Sequence, residues 1–143
     1  MIYMGTTKIE PDKTVAEIMK VLSNQKIRRI MTSYENGEIV GLKFSIIHGD
    51  DELPFELPVR WKPVLSFMQL DRNTPSRLCT PAQAKRVAWR LILRWIEAQL
   101  ALVEINMADI KEIFMPYLIV SEGVTLYKQL ENKQFPSLVA NNK

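Results

Sequence analysis

Chemistry-bearing side chains are scarce in this 143-residue chain, which has one histidine, His48, and one cysteine, Cys79. A zinc site needs three or four convergent ligands, so that class is excluded and no metal or cofactor is expected. A single thiol rules out an intrachain disulfide. It also fits a reducing compartment, so a cytoplasmic location is expected. The five glycines are scattered at positions 5, 37, 41, 49 and 123. Phosphate-cradling loops cluster theirs, so a P-loop or dinucleotide fingerprint is absent. Long apolar runs are also missing. The longest, near Leu91–Ile105, is interrupted by Arg94, Glu97, Gln99 and Glu104 and is too charged to cross a bilayer. Residues 1–30 hold no apolar run with basic flanks, so no signal peptide is expected.

What the chain does have is enough apolar mass for one core, 47% hydrophobic against 24% charged. One domain is expected over residues 1–131, with a polar tail at 132–143. The net charge of +3 is unevenly spread. Residues 1–59 sum to −2, residues 60–94 to +7 and residues 95–143 to −2. The positive block contains Arg60, Lys62, Arg72, Arg77, Lys85, Arg86, Arg90 and Arg94 against one acid, Asp71. Concentrated charge of one sign points to an anionic partner.

Residues 1–13 read as irregular, with Pro11 a break. Thr14-Val15-Ala16-Glu17 fits a capping box, which predicts a helix to about Asn24 with Val15, Ile18, Met19 and Leu22 on one face. Asn36-Gly37 supplies the positive φ angles of a type I′ turn between strands at Ile27–Glu35 and Glu38–Ile47. In the first arm Ile30, Thr32 and Tyr34 share a face. In the second, Val40, Leu42, Phe44 and Ile46 alternate with smaller or polar residues, predicting one buried face. A third strand is expected over Leu53–Val59, its edge blunted by Pro54 and Pro58. A short helix at Pro63–Leu70 and a loop to Cys79 follow.

Thr80-Pro81-Ala82-Gln83 then combines an N-cap, a proline at the first helical position and a capping-box glutamine. Two apolar stripes run on from it. One is Ala84, Ala88, Leu91, Trp95, Ala98, Leu102 and Ile105. The other is Trp89, Leu93, Ile96, Leu100 and Val103. A helix apolar over so much of its circumference is buried on more than one side, or lends part of that surface to a homodimer. Asp109–Leu118 reads as a further helix with Ile110, Ile113, Phe114 and Tyr117 inward, Ser121–Gly123 as a turn, and Leu126, Tyr127 and Leu130 as a closing helix. The expected class is α+β: a three-stranded antiparallel meander packed on helices, in the order α-β-β-β-α-α-α, around one long central helix.

Catalytic readings fare poorly. His48, beside Asp50 and Asp51, reads as a solvated turn residue. Cys79 precedes a helix N-terminus, where a thiolate gains from the dipole, yet a small packing residue is the simpler reading. Glu97 and Glu104 share a helix face but read as solvated or paired with arginine. The expectation is therefore no enzyme and no catalytic residues. The basic set is the stronger signal. Arg86, Arg90 and Arg94 project from one helix face at steps of four, about 6 Å apart, and arginine forks suit phosphate oxygens. Trp61 and Phe67 offer faces for unpaired bases. The plain alternative is that these arginines solubilise the helix and pair with acids elsewhere.

The order α-β-β-β-α with Ala84-Lys85-Arg86-Val87-Ala88 is loosely similar to double-stranded-RNA-binding domains. The family's Gly-Pro-x-His loop is missing, however, and about twenty residues separate the third strand from the long helix; no binding residue carries over. A second resemblance spans nearly the whole chain. Thr14-Val15-Ala16-Glu17-Ile18, Leu57-Pro58-Val59, Val87-Ala88-Trp89-Arg90, Glu97-Ala98-Gln99-Leu100-Ala101 and Phe114-Met115-Pro116-Tyr117-Leu118 look like short uncharacterised proteins carried by phages and mobile elements. That resemblance implies no known activity, but it favours DNA transactions or interference with a host machine. The functional expectation is a non-enzymatic accessory protein that binds DNA or RNA through Arg60, Lys62, Arg72, Arg77, Lys85, Arg86, Arg90 and Arg94. The alternative is a protein-binding module that uses the same face on an acidic protein.

Overall fold

The computed structural model describes residues 1–133. The order is α1 (Pro11–Ser23), β1 (Ile27–Glu35), β2 (Glu38–His48), β3 (Asp51–Glu56), α2 (Trp61–Leu70), a 3₁₀ turn at Ser76–Leu78, α3 (Pro81–Glu104), α4 (Ile110–Phe114), a 3₁₀ turn at Met115–Tyr117, β4 (Ile119–Ser121), β5 (Val124–Thr125) and α5 (Leu126–Asn132). The fold is mixed α+β, with an antiparallel sheet in the order β1-β2-β3 and helices packed on it. The order differs from the expected one by one more helix after the meander, four rather than three, and by the small β4–β5 hairpin, which turns at Gly123 with φ +71°. Helix α5 also runs into residue 132, where a tail was expected; residues 134–143 lie outside the described part.

Helix α1 starts four residues earlier than the capping-box reading placed it, with Glu10 rather than Thr14 at the N-cap. Pro11 is its first residue rather than a break, because a fixed φ and a missing N–H suit that position. Thr14 is therefore inside the helix and fully buried. Glu17 does not fold back to cap but reaches across to α3. Val15, Ile18 and Leu22 face the core as the spacing requires.

Asn36 and Gly37 take φ +52° and +79°, and the hairpin follows the predicted turn. Ser33 stands opposite Gly41 while Tyr34 stands opposite Ile39, so Val40 is an extra, bulged residue. A bulge reverses the alternation beyond it. Leu42, Phe44 and Ile46 are buried as predicted, but Val40 turns outward and Ile39 takes the inward place. Strand β3 is shorter than expected and ends at Glu56, although the Leu57 N–H still donates to the Leu42 carbonyl at 3.0 Å. Its outer edge carries Pro54 and a single antiparallel bridge from Phe55 to Leu118.

The core has two parts joined along α3. In one, α1, the sheet, α4 and the middle of α3 enclose Phe44, Phe55 and Phe114, with ring centroids 5.0 to 6.3 Å apart. In the other, Val64 and Met68 of α2 pack on Ala84, Val87 and Ala88. The first half of α3 is thus covered on several sides. Toward its C-terminus one side loses its cover: Ala98 and Ile105 of the first predicted stripe are exposed, while Leu100 of the second stays buried.

Candidate functional site

The basic block divides into two sets with different environments. On α3 every cation meets a carboxylate. The Lys85 ammonium lies 2.7 Å from Glu38, and the Arg86 guanidinium 2.8 Å from Glu10. Arg94 donates to Glu97 at 2.7 Å, a bond that raises its pKa further. Arg90 is only 4% exposed. Its Nη1 donates to the Glu17 carboxylate and, at 3.4 Å, to the Thr14 hydroxyl. Its Nε is buried without a partner among the described residues.

The expected open row Arg86–Arg90–Arg94 is therefore not a line of available guanidinium groups. Helix α1 lies along α3 and brings Glu10 and Glu17 against it, so the seam is held by ion pairs, with a shallow groove lined by Glu17, Lys20, Arg90, Arg94 and Glu97 beside it. Two warnings were legible: Glu97, three residues from Arg94 and read as an arginine partner, and the −2 of residues 1–59, a reservoir of acid for the basic block.

The same seam fixes the N-terminal segment. The Thr80 hydroxyl accepts from the Gln83 N–H at 3.1 Å, as an N-cap should. The Gln83 side chain does not return the favour, as the capping-box reading had it. It is buried and donates to the Gly5 and Thr7 carbonyls at 2.9 Å each.

The second set surrounds α2. Arg60 is its N-cap, Lys62 lies in its first turn, and Arg72 and Arg77 follow its C-terminal end. All four are exposed, and none forms an ion pair with a described carboxylate. The Lys62 ammonium sits 5.9 Å from the Trp61 ring centroid. The one acid of the block, Asp71, is already engaged: it accepts from the Thr74 hydroxyl at 2.7 Å and the Asn73 N–H at 3.1 Å, and pairs with the terminal ammonium at 3.3 Å. Those contacts, the Thr74 hydroxyl foremost, hold its carboxyl below the usual 3.8.

Between the two pairs of cations α2 shows an apolar ridge. Val64 and Met68 point inward, so Pro63, Phe67 and Leu70, within an arc of about 60° at 100° per residue, point outward. Phe67 is 50% and Leu70 86% exposed. Periodicity could have found this ridge, because only one of the two apolar faces of a ten-residue helix can meet the core.

The other candidates lie apart. His48 is exposed at the end of β2. The Cys79 thiol is half-buried and donates to the Met68 carbonyl at 3.3 Å. Glu97 is taken by Arg94, and Glu104 is exposed. A groove between β3 and α5 is lined by charges of both signs, Glu56, Arg60, Lys128 and Glu131, with Lys128 and Glu131 paired at 2.8 Å. Among the described residues no three His, Cys, Asp or Glu side chains converge as metal ligands, and no helix is long and apolar enough to cross a membrane. Compared with known proteins, the chain matches no family model, no curated protein and no solved structure.

Proposed function

We propose that this is a non-enzymatic binding module that docks an acidic partner protein through the outer face of α2. The observation that carries the reading is the exposed Phe67–Leu70 ridge set between cations that form no salt bridge with a described carboxylate, Arg60 and Lys62 at one end and Arg72 and Arg77 at the other. An aromatic and aliphatic centre with a charged rim is the usual anatomy of a protein interface. The rim here favours carboxylates, and arginine side chains suit them best. A small accessory protein of a phage or mobile element, acting in the cytoplasm on a host machine, fits this face and the resemblance noted in the sequence.

A nucleic-acid partner is the second reading. It is supported by the same four cations together with a half-exposed Phe67 available for base stacking. Of the long-helix row it loses Arg90, which is buried against Glu17, while Arg86 and Arg94 would have to exchange partly exposed glutamate partners for phosphate.

A photo-crosslinker at residue 70 in source cells should capture one acidic protein. Phe67→Glu, or Arg72→Glu with Arg77→Glu, should abolish that capture without changing the melting temperature. Capture indifferent to both variants overturns the protein reading. Retention of generic oligonucleotides at physiological salt, lost in the same variants, moves the assignment to nucleic acid.

A further inference from the structure

The two edges of the main sheet are unlike. The β3 edge has Pro54 and is crossed by the Leu118 bridge. The β1 edge has neither device. Strand β1 is nine residues long, with a bulge at Arg28 that leaves Arg29–Glu35 as its regular part; it contains no proline and no lysine, and on the side away from β2 it pairs with no strand among the described residues. Long open edges are templates for another chain.

The hydrogen-bond parity of β1 is fixed. Leu57 bonds to Leu42, so the even residues of this part of β2 face β3 and the odd ones face β1. Ser45, Lys43 and Gly41 stand opposite Arg29, Met31 and Ser33. The N–H and C=O groups of Ile30, Thr32 and Tyr34 therefore point away from the sheet.

We infer that β1 pairs antiparallel with β1 of a second copy of this chain, about a two-fold axis at Thr32. In that register Thr32 meets Thr32 and Ile30 meets Tyr34, all outward-bonding residues. Each opposed pair of this kind exchanges two bonds, so about six main-chain hydrogen bonds form. On the outer face Arg29 stands opposite Glu35 of the second copy, twice. Both charges have capacity for this: Arg28 and Arg29 share one carboxylate, Glu52, at 3.1 and 3.2 Å, while Glu35 has no ion-pair partner among the described residues. Tyr34, now 57% exposed, would lie over Ile30 of the second copy. A register centred on Met31 sets Arg29 against Ser33 and loses the charge match. The two three-stranded sheets become one, with β3 at each protected end.

Sedimentation equilibrium on the full chain tests this. The wild type should show a concentration-dependent dimer. Thr32→Pro removes a donor that β1 does not use within its own sheet, and should give a monomer with an unchanged circular dichroism spectrum. Glu35→Arg is a surface change that should weaken the dimer at least tenfold, and adding Arg29→Glu should restore it. A wild type that stays monomeric up to its solubility limit overturns the inference. So does a dimer indifferent to Glu35→Arg, or a double swap that fails to recover association. The α2 variants leave this edge untouched, so failure of the docking face is read separately.

Discussion

At the residue scale the contrast between Arg90 and Arg94 decides how the basic block is read. Both belong to the same helical row and both bond a glutamate, yet Arg90 is sealed in the α1–α3 seam and Arg94 is in water. Removing the partner of a buried charge leaves it uncompensated, whereas an exposed pair contributes under about 1 kcal/mol. Glu17→Ala should therefore cost about 2 to 4 kcal/mol, a value reduced from the fully buried case because Glu17 itself is partly exposed. Glu97→Ala should cost less than about 1 kcal/mol. Urea denaturation of the two variants measures both, and equal losses would remove the distinction. Gln83 belongs to the same residue-level logic. Its amide answers two backbone carbonyls of the N-terminal segment, a role for which a capping-box pattern gives no hint.

At the element scale the hairpin is the clearest case of sequence specifying structure. Gly37 holds φ +79° with nothing near its Cβ position, so only backbone strain opposes a side chain there. Gly37→Ala should destabilise by roughly 1 to 2 kcal/mol while leaving the β1–β2 register intact by amide hydrogen exchange. The turn was legible because Asn36-Gly37 admits few other conformations. The cap of α3 was legible for the same reason: Thr80 and Pro81 restrict the backbone locally. The bulge at Val40 was not legible, since a valine in an alternating run gives no local sign that the pairing slips. Pro11 was ambiguous because the same ring both ends irregular chain and begins helices. The β4–β5 hairpin was missed because its strands, of three and two residues, are too short for any period to emerge.

At the scale of the whole molecule α3, about 36 Å long at 1.5 Å per residue, carries both parts of the core. The class and the central helix could be read from the chain because they follow from hydrophobic periodicity. The candidate site could not, because apart from the local Arg94–Glu97 pair, which cations meet carboxylates depends on acids 47 to 76 residues away. A helix shared by both clusters should also make unfolding one event. Phe114→Ala in the first cluster and Met68→Ala in the second should each cost about 2 to 5 kcal/mol. In both variants the tryptophan fluorescence and helical ellipticity transitions should still coincide, since Trp61 and Trp95 report from opposite parts. Two separated transitions would mean that α3 does not couple the clusters.

The α1–α3 seam has a consequence for biosynthesis. Its contacts join residues 73 to 78 positions apart. At about 5 to 20 residues per second, α1 is translated roughly 4 to 15 s before the helix that completes it. Through that interval Val15, Ile18 and Leu22 lack their final cover and Glu10 and Glu17 lack their arginines. The apolar face and the acids of α1 therefore gain their α3 partners only late in synthesis, and the seam closes only once Arg86 and Arg90 are made.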